Sequence, residues 1–141
     1  MKYDITLIGN YTKDTVVTPT GTKHVDGGGF NYGAHASRAL GANTAAVTRL
    51  SKDDEHVVHD LEKIGVDVFP VFTSHSTHMK LVYPGDDPDE RTLIMTSSAG
   101  SFTNDQFENI DSKVFLVNAS IRDEFRLETL HSLSKKGSLI G

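Results

Sequence analysis

Residues 27–41 read Gly-Gly-Gly-Phe-Asn-Tyr-Gly-Ala-His-Ala-Ser-Arg-Ala-Leu-Gly. Three consecutive glycines lead straight into a small-residue helical pattern that stops at Leu40-Gly41. Glycine accepts φ > 0 and carries no Cβ, so the backbone here can touch a ligand, and the helix that follows begins with N–H groups lacking intrahelical partners. Taken alone, the cluster is equally a tight turn before an ordinary helix.

On either side of this junction, strand-like and helix-like patterns alternate, which predicts a mostly parallel sheet with helices on its faces. Ile5, Leu7 and Ile8 mark a buried first strand. Residues 15–18 and 22–25 read as a hairpin around Pro19-Thr20-Gly21. In residues 54–64, Val57, Val58, Leu61 and Ile64 share one helical face, and Gly65 sits where a helix stops. Residues 66–72 return as a strand. Residues 79–83 and 91–95 flank the polar run Pro84-Gly85-Asp86-Asp87-Pro88-Asp89 and predict a second hairpin. Thr103-x-x-Gln106 has capping-box spacing, residues 114–117 form an apolar strand, and Leu127, Leu130 and Leu133 stripe another helix. After Lys135-Lys136-Gly137, the run Ser138-Leu139-Ile140-Gly141 looks like the opening of one more buried strand. In open α/β folds, ligands bind at the carboxyl ends of the parallel strands. Asn10 and Asn118 each lie at such an end.

Gly27-Gly28, the Ala-rich run at 34–39, Leu40-Gly41, the strand Ala45-Ala46-Val47-Thr48 and the acidic turn Asp53-Asp54 resemble the amino-terminal signature of the ribokinase-like (PfkB) carbohydrate kinases. The resemblance extends over nearly the whole chain and implies an α/β ribokinase-like fold, a mostly parallel sheet flanked by helices with a small β lid built from the hairpins at about 15–25 and 79–95. It implies that Asn10, Asp14, the backbone of Gly27, Gly28 and Gly29, the residue at Tyr32, and Asn118 bind substrate. Tyr32 stands where ribokinase-type members place an Asn, with Asn31 one position earlier, which leans away from ribose. By the same resemblance, ATP with Mg²⁺ phosphorylates a hydroxyl of a sugar, polyol or nucleoside in the full-length enzyme, and a homodimer through the lid is expected.

The family's second signature, an Asp-Thr-x-Gly-Ala-Gly-Asp type segment that brings the catalytic Asp, does not occur here. Residues 1–141 are therefore expected to be the front, substrate-binding part of a kinase domain, incomplete at the carboxyl end. Such a part has no catalytic residue and holds neither ATP nor Mg²⁺ alone. A non-catalytic sugar-binding or regulatory module, or an inactive fragment, is the alternative.

Composition narrows the partners. With 19 acidic and 14 basic residues the net charge is −5, and the basic residues are scattered, which argues against nucleic acid and anionic membranes. The first residues have no apolar run of signal-peptide or membrane-span length, which makes the cytoplasm the expected location. Cysteine is absent, so disulfides, thiolate nucleophiles and Cys-based zinc sites are excluded. No Gly-x-x-x-x-Gly-Lys-Ser/Thr occurs, and the glycine run does not follow the first strand as a Rossmann loop would. His56 and His59, and His75 and His78, read as surface pairs rather than metal ligands, and His35 as a packed or surface imidazole. Phe30 reads as core or lid packing. Asp14 is either a turn-capping residue or a carboxylate acceptor for two hydroxyls, Asn10 an Asx-type turn or an acceptor, and Tyr32 a core aromatic or a ligand contact. The presumed pocket segments offer a single cation, Lys13, so a neutral substrate is expected over a phosphorylated one.

Overall fold

The structure is a computed structural model and describes residues 2–141. Nine strands and three helices follow in the order β1 (Tyr3–Ile8), β2 (Thr12–Thr18), β3 (Gly21–Gly27), α1 (Gly29–Ala39), β4 (Thr44–Ser51), α2 (His56–Lys63), β5 (Asp67–Thr73), β6 (Thr77–Val82), β7 (Thr92–Ser97), β8 (Ser112–Val117), α3 (Leu127–Ser134) and β9 (Leu139–Ile140). Single 3₁₀ turns at Lys52–Asp54 and Asn104–Gln106 lie between β4 and α2 and between β7 and β8.

Two sheets result. The first has the order β5-β4-β1-β8-β9, and every neighbouring pair in it is parallel. Side chains on its strands alternate between two faces, as the two-residue strand repeat requires. Leu7 and Ala46 join Phe30, Ala34 and Leu61 under α1 and α2. Ile8, Ala45 and Val47 join Phe102, Phe115 and Leu133 on the opposite side, under the 98–110 segment and α3. A strand buried on both faces reads as a continuous apolar run, which is why residues 45–47 and 114–117 carry no polar alternation.

The second sheet has the order β3-β2-β6-β7. Both expected hairpins are present as antiparallel pairs, β2 with β3 and β6 with β7. They merge because β2 and β6 pair in parallel, Thr12 opposite Thr77 through Val17 opposite Val82. A four-stranded lid is thus built, its central pair joining residues 65 apart in sequence.

Helix α2 ends at Gly65, whose φ of 84° belongs to the left-handed region that glycine tolerates. The expected capping box is partly met, with Gln106 Oε1 accepting from the Thr103 N–H at 3.3 Å, but it caps a 3₁₀ turn. Two expectations need correction. Of the stripe on α3, only Leu133 is buried, while Leu127 is 78% exposed. The last strand also pairs with β8 in parallel as its pattern suggests, yet Leu139 and Ile140 are exposed rather than buried. Both lie at the open edge of the first sheet.

Candidate functional site

The three glycines form the spine of the site, and each faces a different polar residue. A Cβ on Gly27 would collide with the Asp14 carboxylate and the Thr12 hydroxyl. One on Gly28 would lie 2.7 Å from the Asn10 carbonyl oxygen, and one on Gly29 would lie 3.0 Å from the Asn118 Cβ. Gly28 has φ 98°, and no side chain caps the start of α1; the Gly28 carbonyl instead accepts from the Asn31 and Tyr32 N–H groups. The glycine run therefore lets three separate chain segments close on the first turn of α1.

The topology explains how those segments meet. Asn10 follows β1, and Asn118 follows its parallel neighbour β8, held by donation from the Asn118 N–H to the Ile8 carbonyl at 2.7 Å. Asp14 lies on β2 opposite Val25, two residues from the glycine run. Each of the three side chains keeps one buried oxygen without a hydrogen-bond partner: Asn10 Oδ1, Asp14 Oδ1 and Asn118 Oδ1. Orphaned buried acceptors are costly and uncommon in folded proteins. Burial raises the Asp14 carboxyl above the usual aspartate range, although the Thr12 hydroxyl and the nearby His78 pull it down.

Beside this row, under the lid, is an open cavity of about 500 Å³ lined by Asp14, Val16, Lys23, Val25, Tyr32, Leu81, Tyr83 and the 85–88 turn, among others. Of the expected site residues, Asp14 and Tyr32 line it; Asn10, Asn118 and the glycines are not on its wall. Tyr32 is 58% exposed, so the core-aromatic alternative is excluded, whereas Phe30 is fully buried as core. Lys13 does not serve the pocket. Its ammonium binds Asp54 Oδ1 at 2.9 Å, and the lysine at the cavity is Lys23, from the first hairpin.

Several residues around the site make contacts that the sequence did not indicate. Asp54 is 4% exposed and receives, besides Lys13, the Ser76 hydroxyl at 2.6 Å. Ser76 also accepts from the Ser51 N–H at 2.8 Å, so this node ties the end of β4 to the start of β6. The Tyr11 hydroxyl donates to Asp26 Oδ1 at 2.6 Å, and His56 Nε2 lies 3.0 Å from Asp26 Oδ2. Burial, then Asp26, push the Tyr11 hydroxyl far up, so it acts only as a neutral donor. Glu124, 1% exposed, lies behind Asn10. Each pairing is tertiary and has no fixed spacing along the chain.

His59 and His75 are exposed, His78 bonds Thr15 at 2.9 Å, and the exposed His35 bonds the Asn31 carbonyl at 2.9 Å. Among the described residues no group of three or more His, Asp or Glu side chains is placed to hold a metal ion.

A parallel sheet, a β lid and a glycine-opened helix between them define a lidded α/β architecture. No family model and no curated protein matches the chain. Among solved structures, a pyrophosphate-dependent kinase of the ribokinase family in a sulfate complex is 29% identical with a TM-score of 0.88, over 96% of this chain and 48% of that one. A pyrophosphate-dependent kinase of the same family, complexed with a pyrophosphate analog and myo-inositol, is 26% identical with a TM-score of 0.87, over 96% and 47%. Ribokinase from Arabidopsis thaliana, complexed with ribose and ATP, shares the fold at 18% identity and a TM-score of 0.69, over 99% and 53%. The chain spans about half the length of these kinases. It has the ribokinase-like fold of the PfkB carbohydrate kinases, as the resemblance implied.

Proposed function

We propose that residues 1–141 are the substrate-binding part of a kinase that phosphorylates a hydroxyl of a neutral sugar, polyol or nucleoside. The observation that carries this reading is the set of unpartnered buried acceptors, Asn10 Oδ1, Asp14 Oδ1 and Asn118 Oδ1, on three residues whose other atoms pack against the glycine run 27–29. A polyhydroxy compound offers the complementary set, several O–H donors on one small rigid body. Asp14 accepts from two neighbouring hydroxyls, and such charge-assisted bonds are about twice as strong as neutral ones. Tyr32 and Tyr83, with Val16, Val25 and Leu81, give the lid side of the cavity an amphipathic wall. Lid closure over the ligand excludes water and strengthens these contacts.

ATP with Mg²⁺ would supply the transferred phosphoryl group and its charge compensation from outside this chain. Pyrophosphate is the second reading for the donor, favoured because the two relatives at 29% and 26% identity are pyrophosphate-dependent. The enzyme acts in the cytoplasm as a homodimer through the lid, whose edge strand β7 exposes Leu93, Ile94 and Met95.

Calorimetric titration of the chain with myo-inositol, ribose, adenosine and fructose 6-phosphate tests the substrate class. Binding of at least one neutral ligand in preference to the phosphorylated one is expected; a preference for the phosphate would overturn it. Coupled assays of the complete enzyme with ATP and with pyrophosphate then assign the donor.

A further inference from the structure

Asp26 stands immediately before the glycine run, and its contacts reach four other elements or junctions of the fold. Its Oδ1 accepts from the Tyr11 hydroxyl at 2.6 Å, and its Oδ2 sits 3.0 Å from His56 Nε2 on α2. Its carbonyl accepts from Asn31 Nδ2, in the first turn of α1, at 3.4 Å. Tyr11, between β1 and β2, is wholly buried, and its N–H donates to the Thr48 hydroxyl on β4 at 2.9 Å. The end of β3 is thereby tied to the parallel sheet and to two helices. The two side-chain contacts differ in weight. Asp26 and His56 are both about half exposed, and ion pairs open to water contribute little. The Tyr11 hydroxyl, by contrast, belongs to a buried side chain, and a buried donor that loses its acceptor is costly.

Register carries this anchoring to the cavity. Asp26 is directly opposite Lys13 in the first hairpin; the next pair is Asp14 with Val25, and the pair on the other side is Thr12 with Gly27. Successive residues of a strand point to opposite faces. Lys13 and Asp26 accordingly reach Asp54 and His56 from one face of the hairpin, while Asp14 and Val25 line the cavity from the other. Asp14 also packs on the backbone of Gly27, the residue after Asp26, where a Cβ would collide with its carboxylate. Asp14 Oδ1 has no partner, so the place of the carboxylate is set by where the root of the hairpin is held.

We propose that Asp26 is a positioning residue: by accepting from the buried Tyr11 hydroxyl it fixes the root of the first hairpin, and so holds Gly27 and the Asp14 carboxylate in place at the cavity. This rests on the polyhydroxy reading of the site, in which Asp14 accepts from the hydroxyls of the ligand. Asp26 is not on the cavity wall and touches no ligand itself. Lys13, bound to Asp54, anchors the same root through β2. Asp14 thus stays with the parallel sheet while the outer part of the lid, beyond this root, is free to close.

Two measurements on the full chain test this. In the ligand-free protein, Asp26→Ala should shift the side-chain carboxyl resonance of Asp14, although Asp26 does not touch that carboxyl, whereas Asp26→Asn, which keeps an acceptor for Tyr11, should leave it nearly unmoved. Tyr11→Phe removes the same hydrogen bond from the other side and should reproduce the shift; should D26A not fold, Y11F decides. An unmoved Asp14 resonance in folded D26A or Y11F, or equal shifts in D26A and D26N, would overturn the inference. In titrations with myo-inositol and ribose, D26A should weaken binding about tenfold, in line with one misplaced hydrogen-bond acceptor, and D26N should restore most of it. Binding lost in Asp14→Asn but intact in D26A refutes the role of Asp26 and leaves the polyhydroxy reading standing. If neither compound binds the unsubstituted chain, the polyhydroxy reading fails for them, and the Asp14 resonance still decides on Asp26.

Discussion

Burial raises the Asp14 carboxyl above its ordinary range, against the Thr12 hydroxyl and His78. With the folded value above the unfolded one, this group favours folding only below the unfolded pKa, and that contribution is lost as pH rises through the folded value. At neutral pH the ionised Asp14 therefore works against stability while providing the charged acceptor. Asp14→Asn should lower affinity for a neutral polyol by roughly 10- to 100-fold, the range of one hydrogen bond to a charged group, and leave the melting temperature equal or higher; a stability loss with unchanged binding would show that Asp14 only caps a turn. Gly28 carries a different constraint, because its φ of 98° disfavours any side chain and a Cβ would press on the Asn10 carbonyl at 2.7 Å. Gly28→Ala should cost about 1–3 kcal/mol in chemical denaturation. The types Asn, Asp and Gly at these positions were legible in the sequence because each has a narrow chemical use; the partners of Asp54, Lys13 and Ser76, were not, since they are distant in the chain.

At the scale of elements, the lid depends on one polar node. Ser76 Oγ bridges the Asp54 carboxylate and the Ser51 N–H where β6 begins. Ser76→Ala leaves a buried carboxylate and a buried N–H each short of a partner, so about 1–3 kcal/mol should be lost, with hydrogen exchange quickening in β6 and β2 before β1 and β4. Uniform loss of protection in both sheets would show that the node supports the whole molecule instead. Burial pushes the Asp54 carboxyl up, but the Ser76 hydroxyl and the Lys13 ammonium outweigh it and leave the folded value below the ordinary one. The stabilisation from this node is thus present above the unfolded pKa and lost as pH falls through the folded value, below its ordinary 3.8. Acid titration should release the lid in that window, seen as faster β6 exchange, and Asp54→Asn should remove the pH dependence. Both hairpins were readable from their turn residues. Their union was not, because the parallel β2–β6 pairing is a non-local contact without a periodic signature.

For the molecule as a whole, three edge strands expose large apolar side chains, among them β5 with Phe69 at 39% and Phe72 at 42%. On the lid, β7 exposes Leu93 at 51%, Ile94 at 43% and Met95 at 48%, and on the parallel sheet β9 exposes Leu139 at 73% and Ile140 at 40%. Unpaired apolar edges favour association, so the chain should show concentration-dependent self-association in sedimentation velocity. Ile94→Lys should abolish it if the lid is the interface; an unchanged I94K together with a monomeric Leu139→Lys would assign it to the parallel sheet instead.

The sequence alone determined the alternation of strands and helices, the glycine-opened helix, both hairpins and the kinase resemblance, because each depends on local pattern: two- and 3.6-residue periodicity, turn chemistry and a contiguous motif. Tertiary structure decided the rest. It faced Gly27, Gly28 and Gly29 with Asp14, Asn10 and Asn118, turned Lys13 away to Asp54 while bringing Lys23 to the cavity, fused the hairpins into one lid, and put Glu124 behind Asn10. These outcomes depend on which distant segments share buried space, and on which polar atoms must find partners once water is excluded.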